Sequence, residues 1–323
     1  RITALAERLN CPVVTTFKGK GLISDAHPLG CGVLGRSGTP IASWFMNECD
    51  LLLVLGASFS NHTGITPKKP TIQVDFDPMI LGKFHSVDVP VWGEIGVTVD
   101  LLAKALSDGS QSIDHRAEVA DRWEIWRGEK ANRAKDDQGG GVNSAAIFQA
   151  MTEALDPDAI ISVDVGNNAY SFGRYFECTS QAVLMSGYLG SIGFAYPAAL
   201  GAWAAAQEPD TPFTGRQVVA VSGDGGFGQY MAEITTAVKY EMNITHVLLN
   251  NDELGKISKE QRSGDWDVWQ TALHNPNFAD YANLCGAMGV RVEDKKDLVE
   301  ALRTALDHEG PSTVEIVADP LLV

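Results

Sequence analysis

The stretch QVVAVSGDGG (217–226), followed by FGQYMAEITTAVKYEM (227–242) and ITHVLLNND (244–252), reads as strand, helix, strand. Both strand segments are β-branched or aliphatic without alternation, the pattern of strands buried on both faces in a parallel sheet. Glycines at 223, 225 and 226 stop the first strand, and the pattern predicts a helix from about Phe227. Open α/β sheets bind ligands outside the carboxyl ends of their strands. Glycines there admit a ligand close to the backbone, and first-turn amides of a helix favour an anion such as a diphosphate.

Asp224 contradicts a simple anion site, because a carboxylate repels a phosphate unless a divalent cation lies between them. Asn250, Asn251, Asp252 and Glu253 would bring hard oxygen donors to the same edge, and 27 positions from Asp224 to Asn251 suit one helix and one strand. Mg2+ takes roughly six oxygens, shared between protein, phosphate and water. Either turn alone is ordinary. Their joint placement points to a metal-bridged diphosphate.

Outward from this unit the alternation continues. PVVTT (12–16), DLLLVLGA (50–57) and TIQVDFD (71–77) read as strands, with helices around 39–48 and 97–106. In the second half SAAIFQAMTEAL is a helix, AIISVDVG (159–166) a strand, and GFAYPAALGAWAAAQ (193–207) a helix of small residues. NFADYANLCGAMG and KDLVEALRTALDH read as helices before a last strand, STVEIVAD. The expected fold is α/β: two consecutive domains, each a mostly parallel β-sheet covered by helices on both faces. Their bounds are set at 1–107 and 143–323. Between them, 108–142 reads as a linker bearing a charged helix, flanked by SDGSQSID and the glycines 139–141. Trp123 and Trp126 are expected to anchor that helix rather than meet a ligand.

Composition narrows the partners. The chain has 323 residues and a net charge of −16 without a dense basic cluster, which argues against nucleic acid or an anionic membrane surface. No apolar run is long enough to span a bilayer. Five scattered cysteines without a CxxC pair read as reduced thiols of a cytoplasmic protein, and Cys/His spacing gives no zinc site. The opening RITALAERLNCPVVTT reads as though cut from something longer.

GDG, 24 residues, then NN resembles the fingerprint of the thiamine diphosphate-dependent enzymes, in the branch of pyruvate oxidase and acetolactate synthase. GKGLISDAHPLGCGVLG, DLLLVLGASF and IQVDFDPMILGK resemble that family's middle domain; DVGNN, LGSIGFAYPAALGA, GDGG and NNDELG resemble its diphosphate-binding domain. The resemblance implies Mg2+ bound by Asp224, the Asn251 side chain and the Glu253 carbonyl. It places Gly223, Gly225 and Gly226 at the diphosphate, with Gly166, Asn167, Gly190, Ser191 and Gly255 lining the cofactor. Ile192 falls where an apolar wedge bends thiamine diphosphate, so that its own amino group can take the reactive ring proton.

The implied reaction is decarboxylation of a small 2-oxo acid resembling pyruvate. Acetolactate synthases carry a tryptophan-containing QWQ after the second metal turn, whereas this chain reads GKISKEQ, with Ile257 and Glu260 where pyruvate oxidases face their substrate. Lys256 departs from the usual apolar residue. The expectation is therefore oxidation through FAD to a quinone, with carboligation or simple decarboxylation as alternatives and a non-catalytic binding module as an alternative of another class. FAD is matched by Gly35, Arg36, Gly56, Ala57, Ser58, Phe59, Asp75 and Glu94, the last replacing a usual aspartate. The family's activating glutamate belongs to an N-terminal domain with no counterpart in this sequence. The resemblance therefore implies a chain that does not turn over alone, in a homodimer or homotetramer with shared active sites; a quinone-linked member would sit peripherally at a membrane.

Overall fold

A computed structural model describes residues 1–106, 113–138 and 140–321. The chain divides into two compact units, Arg1–Gly128 and Glu129–Val323. The serine-rich stretch 107–112 and Gly139, both within the expected linker, lie outside the described residues.

The first unit runs α1 (Ile2–Leu9), β1 (Val13–Thr15), β2 (Gly30–Val33), α2 (Pro40–Glu48), β3 (Leu52–Leu55), β4 (Thr71–Asp75), β5 (Val89–Trp92), α3 (Ile95–Ala105) and the start of α4 (Arg116–Arg133). β1 and β2 form a parallel pair, and β3, β4 and β5 a separate three-stranded parallel sheet. α2 starts where Thr39 accepts the Ala42 N–H at 3.2 Å, with Pro40 at its first position, where a missing N–H costs nothing. The division between the units falls inside α4. Its Trp123 and Trp126 are buried, and the Trp123 indole N–H donates to the Gly30 carbonyl at 2.7 Å.

The second unit continues with α5 (Ser144–Ala154), β6 (Ile160–Val163), α6 (Asn167–Tyr175), β7 (Ala182–Met185), α7 (Ala195–Gln207), β8 (Val218–Gly223), α8 (Asp224–Tyr230), α9 (Ile234–Lys239), β9 (Thr245–Asn250), α10 (Gly255–Ser263), α11 (Phe278–Leu284), β10 (Met288–Val292), α12 (Leu298–Leu306) and β11 (Ser312–Val317). All six strands pair in parallel in the order β10-β11-β9-β8-β6-β7. Ala195, Ala199, Ala202 and Ala206 of α7 bury against Ile160, Val218, Ala220 and Leu248, their small side chains letting helix and sheet approach closely. In α5, Ile147, Phe148 and Met151 are wholly buried, each transfer contributing roughly 2 kcal/mol, and the helix packs on α6 and α12.

Three sequence expectations are corrected. The helix after β8 begins at Asp224, not Phe227, because Gly223 already takes the extended N-cap conformation and a carboxylate in the first turn suits the helix dipole. It is also not continuous to Met242: a 3-10 turn at Met231–Glu233 separates α8 from α9. The segment 277–289 is not all helix, since Gly286 at φ +87° closes α11 and Met288 already belongs to β10.

Candidate active site

β6 sends its crossover to β7 on one side, while β8 sends its own to β9 on the other. The order of strands therefore reverses between β6 and β8, the kind of switch point outside whose carboxyl ends open α/β sheets bind ligands. Asp164 and Gly166 follow β6; Gly223 ends β8; Asn250 ends β9.

Asp224 is buried at that edge. Its carboxylate accepts the Gly225 N–H at 2.9 Å and the Asn275 side-chain amide at 2.8 Å. Burial nevertheless dominates and pushes its pKa up to about 6. The Gly225 N–H expected to face a diphosphate is thus engaged by the neighbouring carboxylate.

Asn251 lies across from Asn167. A side chain at Gly255 would place its first carbon 2.9 Å from the Asn167 amide nitrogen, 3.0 Å from that of Asn251 and 3.4 Å from Glu253 Oε1. Only glycine leaves this space open. Glu253 Oε1 is buried without a hydrogen-bond partner, an anionic oxygen suited to a cation or a polar ligand. The Glu253 carbonyl accepts the Gly255 N–H at 2.9 Å around an inverse γ-turn at Leu254, leaving its second lone pair for a metal. Among the described residues no group of three His, Cys, Asp or Glu converges as a metal site, so a cation here would depend on mixed donors: one carboxylate, one amide and one carbonyl. That set suits Mg2+.

Gly166 stands at φ +133°, a conformation that fits glycine, at the start of α6. The loop carrying Gly190, Ser191 and Ile192 is held through Gly193, whose N–H donates to both oxygens of Asp164 at 2.9 and 3.1 Å; Phe194 N–H adds a third contact at 3.3 Å. Ile192 itself is 37% exposed. Sequence reasoning missed Asp164, the anchor of this loop. Burial raises its pKa to about 6 against the lowering effect of these N–H donors.

Asp164 gives a pH prediction. Between the ordinary value of 3.8 and about 6 the folded chain holds a proton that the unfolded chain has released. Stability from this group therefore falls as pH rises through that window, by about 3 kcal/mol, and is flat above it. Asp224 contributes in the same direction and window. Urea unfolding at pH 4 and pH 7 should show Asp164→Asn gaining stability relative to wild type as pH rises, by about 2 kcal/mol; a difference between the two proteins that stays constant with pH would refute the assignment.

On α10, Ile257 is 46% exposed and Lys256 Nζ pairs with Glu260 Oε1 one turn on, which gives the departure at Lys256 a structural role. Lys256 also lies 5.4 Å over the Tyr170 ring. Below the edge, His246 of β9 is buried with Nε2 2.7 Å from Ser222 Oγ, and burial drives its pKa down to about 3, so it ties β8 to β9 as a neutral ring.

In the first unit, Gly56, Asp75 and Glu94 follow β3, β4 and β5 at one sheet edge. Glu94 there caps α3, accepting the N–H groups of Gly96 at 2.9 Å and Val97 at 2.6 Å. Asp75 accepts the Asp77 N–H at 2.9 Å, and Phe59 is buried 4.8 Å from the His85 ring, so Ala57 and Ser58 lead into packed rather than open structure. Gly35 sits at φ +98°, and a first side-chain carbon would lie 2.0 Å from the His62 carbonyl, while the Arg36 N–H donates to that carbonyl at 3.0 Å. Gly35, Arg36, Phe59, Asp75 and Glu94 thus each have a structural duty of their own.

All five cysteines are free thiols, and no described helix is long and apolar enough to cross a membrane. Fold and site define a class: an α/β protein whose candidate ligand site lies at the switch point of a parallel sheet. Residues 1–102 match the central domain of thiamine pyrophosphate enzymes and residues 164–316 their C-terminal thiamine pyrophosphate-binding domain. The chain belongs to the thiamine pyrophosphate enzyme family. It is 33% identical over 320 residues to the "Putative thiamine pyrophosphate-containing protein YdaP" of Bacillus subtilis (strain 168), covering 97% of this chain and 53% of that protein. An acetolactate synthase large subunit of Parasynechococcus marenigrum (strain WH8102) is 30% identical over 327 residues, 97% of this chain and 50% of that one. The acetolactate synthase isozyme 2 large subunit of Escherichia coli (strain K12) is 28% identical over 318 residues, 96% and 55%. The chain spans about half the length of the curated relatives it matches.

Proposed function

We propose that the chain holds the diphosphate end of thiamine diphosphate through Mg2+, as part of an enzyme that decarboxylates a pyruvate-like 2-oxo acid and passes the electrons to FAD and then a quinone. The observation that carries this reading is the buried Asp224 carboxylate at the sheet's switch point, linked through Asn275 to Asp252 in the turn after β9. When bound, the cofactor supplies the electron sink that lets a 2-oxo acid lose carbon dioxide. Asp224, the Asn251 side chain and the Glu253 carbonyl would hold the metal. Gly226, Gly166 and Asn167 would border the diphosphate, and Gly255 would keep space open between the two amides. Ile192 would press the cofactor into its bent form, its loop fixed by Asp164. Ile257 and Glu260 on α10 would meet the substrate, with Lys256 moderating the glutamate's charge.

The oxidative reading is supported by GKISKEQ, which lacks the tryptophan of the carboligases, and by the shared edge of Gly56, Asp75 and Glu94 as a flavin border. Carboligation is the second reading, supported by the names of the acetolactate synthase relatives. Extending the chain by the N-terminal half found in its relatives and screening 2-oxo acids should separate the two. Reduction of a quinone or dye with pyruvate, by a yellow protein with flavin absorbance, is expected. A colourless protein that forms a longer hydroxy-oxo acid instead would establish the second reading, and neither activity would discard both.

A further inference from the structure

Behind the metal edge lies an amide network whose orientation is dictated from the core. Glu315 of β11 is fully buried and accepts from three donors: Asn250 Nδ2 at 2.8 Å, Arg291 Nη1 at 2.6 Å and the Ala279 N–H at 2.9 Å. A carboxylate beside an arginine offers lone pairs, so Asn250 must turn its NH2 group inward. Its Oδ1 then points the other way. The Asp252 N–H, 3.3 Å from that oxygen, demands the same orientation, because a backbone N–H can only donate.

The next link follows from the same rule. Asn250 Oδ1 lies 2.9 Å from Asn275 Nδ2, so Asn275 must present its NH2 group on this side. That nitrogen is also 2.8 Å from Asp224 Oδ2 and 3.0 Å from Asp252 Oδ1. Three oxygens therefore converge on one amide nitrogen, which has only two hydrogens to give. Asn275 arrives there because its segment runs antiparallel to the metal turn: Leu254 N–H donates to Thr271 at 2.8 Å, and Leu273 N–H to Asp252 at 2.7 Å.

We infer that Asn275 is a positioning residue for the metal ligand Asp224, holding its carboxylate at one rotation before a cation arrives, with the Glu315–Asn250 pair setting the direction of the amide. This rests on the reading of Asp224 as a Mg2+ ligand. Groups that orient a metal ligand by hydrogen bonding commonly govern metal affinity strongly. Asn275 touches neither the metal nor the substrate in this scheme, and its effect belongs to the Mg2+ requirement.

The test is a Mg2+ titration of the chain at fixed thiamine diphosphate, with cofactor binding followed by tryptophan fluorescence. Asn275→Leu keeps the shape without the donors and should raise the half-saturating Mg2+ concentration about ten- to a hundredfold. Cofactor affinity at saturating Mg2+ should return to the wild-type value. Asn275→Gln, which keeps the amide donors one methylene further out, should fall between the wild type and Asn275→Leu. An unmoved Mg2+ midpoint, or cofactor affinity lowered equally at every Mg2+ concentration, would show that Asn275 only ties down its loop and overturn the inference. A wild-type chain that binds the cofactor regardless of Mg2+ would overturn the reading of Asp224 and this inference with it.

Discussion

Asp224→Ala should abolish Mg2+-dependent binding of thiamine diphosphate, lowering affinity by at least about a hundredfold, since loss of a direct ligand should exceed loss of a group that merely orients one. The carboxylate is 3% exposed and held by donors from Gly225 and Asn275. Of the neighbouring carboxylates, Asp252 bonds Asn275, and Glu253, which enters the proposed set through its carbonyl, bonds Ser258 through Oε2 at 3.0 Å with Oε1 left unpartnered. Removing Asp224 therefore leaves donors without an acceptor and a cation without its only anionic protein ligand in the proposed set. Circular dichroism should remain that of the wild type, since the strands and α7 carry the core. Calorimetry with and without Mg2+ checks the result, and binding in the variant that still responds to Mg2+ within a few-fold of wild type would remove Asp224 from the metal.

The parts of the fold that could be read directly were those whose burial is nearly uniform. β6, β8 and β9 are hydrophobic on both faces, and their strand character is written in the local run of residues. β5 could not be read this way. Its VPVW contains a proline and is largely exposed, and it is a strand because it sits at the edge of its sheet, where a missing N–H is tolerated. β10 hid behind a different ambiguity: Leu284, Ala287 and Met288 extend a helical pattern, yet a first side-chain carbon at Gly289 would lie 1.9 Å from the Ala279 carbonyl. That glycine serves a strand lying flush on α11, a tertiary demand with no local signature. Gly286 was the local signal, a left-handed helix terminator three residues earlier.

The candidate site divides along the same line. Asp224 and Asn251 could be paired from the sequence because a single crossover from β8 to β9, through α8 and α9, joins them, so spacing in the chain stands for distance in space. Asp164 and Asn275 were not. Asp164 acts on Gly193, 29 residues away, through a loop that follows another strand, and Asn275 acts on Asp224 from 51 residues beyond it. Neither distance corresponds to a single supersecondary unit, and an Asp or Asn in a turn has many local uses. The role assigned to Ile192 came only from family resemblance; what the structure adds is the Asp164 carboxylate that fixes the next two residues of its loop, Gly193 and Phe194.

That carboxylate also makes Gly226→Ala a severe substitution in a place where alanine would ordinarily help. Gly226 lies within α8, where replacing glycine by alanine gains up to about 1 kcal/mol of helix propensity. Its new methyl group would stand 2.2 Å from Asp164 Oδ2, 3.0 Å from the carboxyl carbon and 3.2 Å from the Gly193 nitrogen. Asp164 is 1% exposed and fastened by the N–H groups of Val165, Gly193 and Phe194, so it has no free direction in which to yield. Overpacking costs about 1–3 kcal/mol, and hydrogen bonds lost from a buried charge about 1.5–3 kcal/mol each. Steric conflict therefore outweighs propensity, for a net loss of about 3 kcal/mol. Gly228 of the same helix has nothing within 4 Å of an added carbon, so Gly228→Ala should be neutral or stabilising. Urea unfolding of the two variants should move their midpoints in opposite directions. Hydrogen exchange in residues 186–194 should accelerate in Gly226→Ala alone, as the Ile192 loop loses its anchor; equal stability and equal exchange in both variants would mean that Asp164 does not hold that loop.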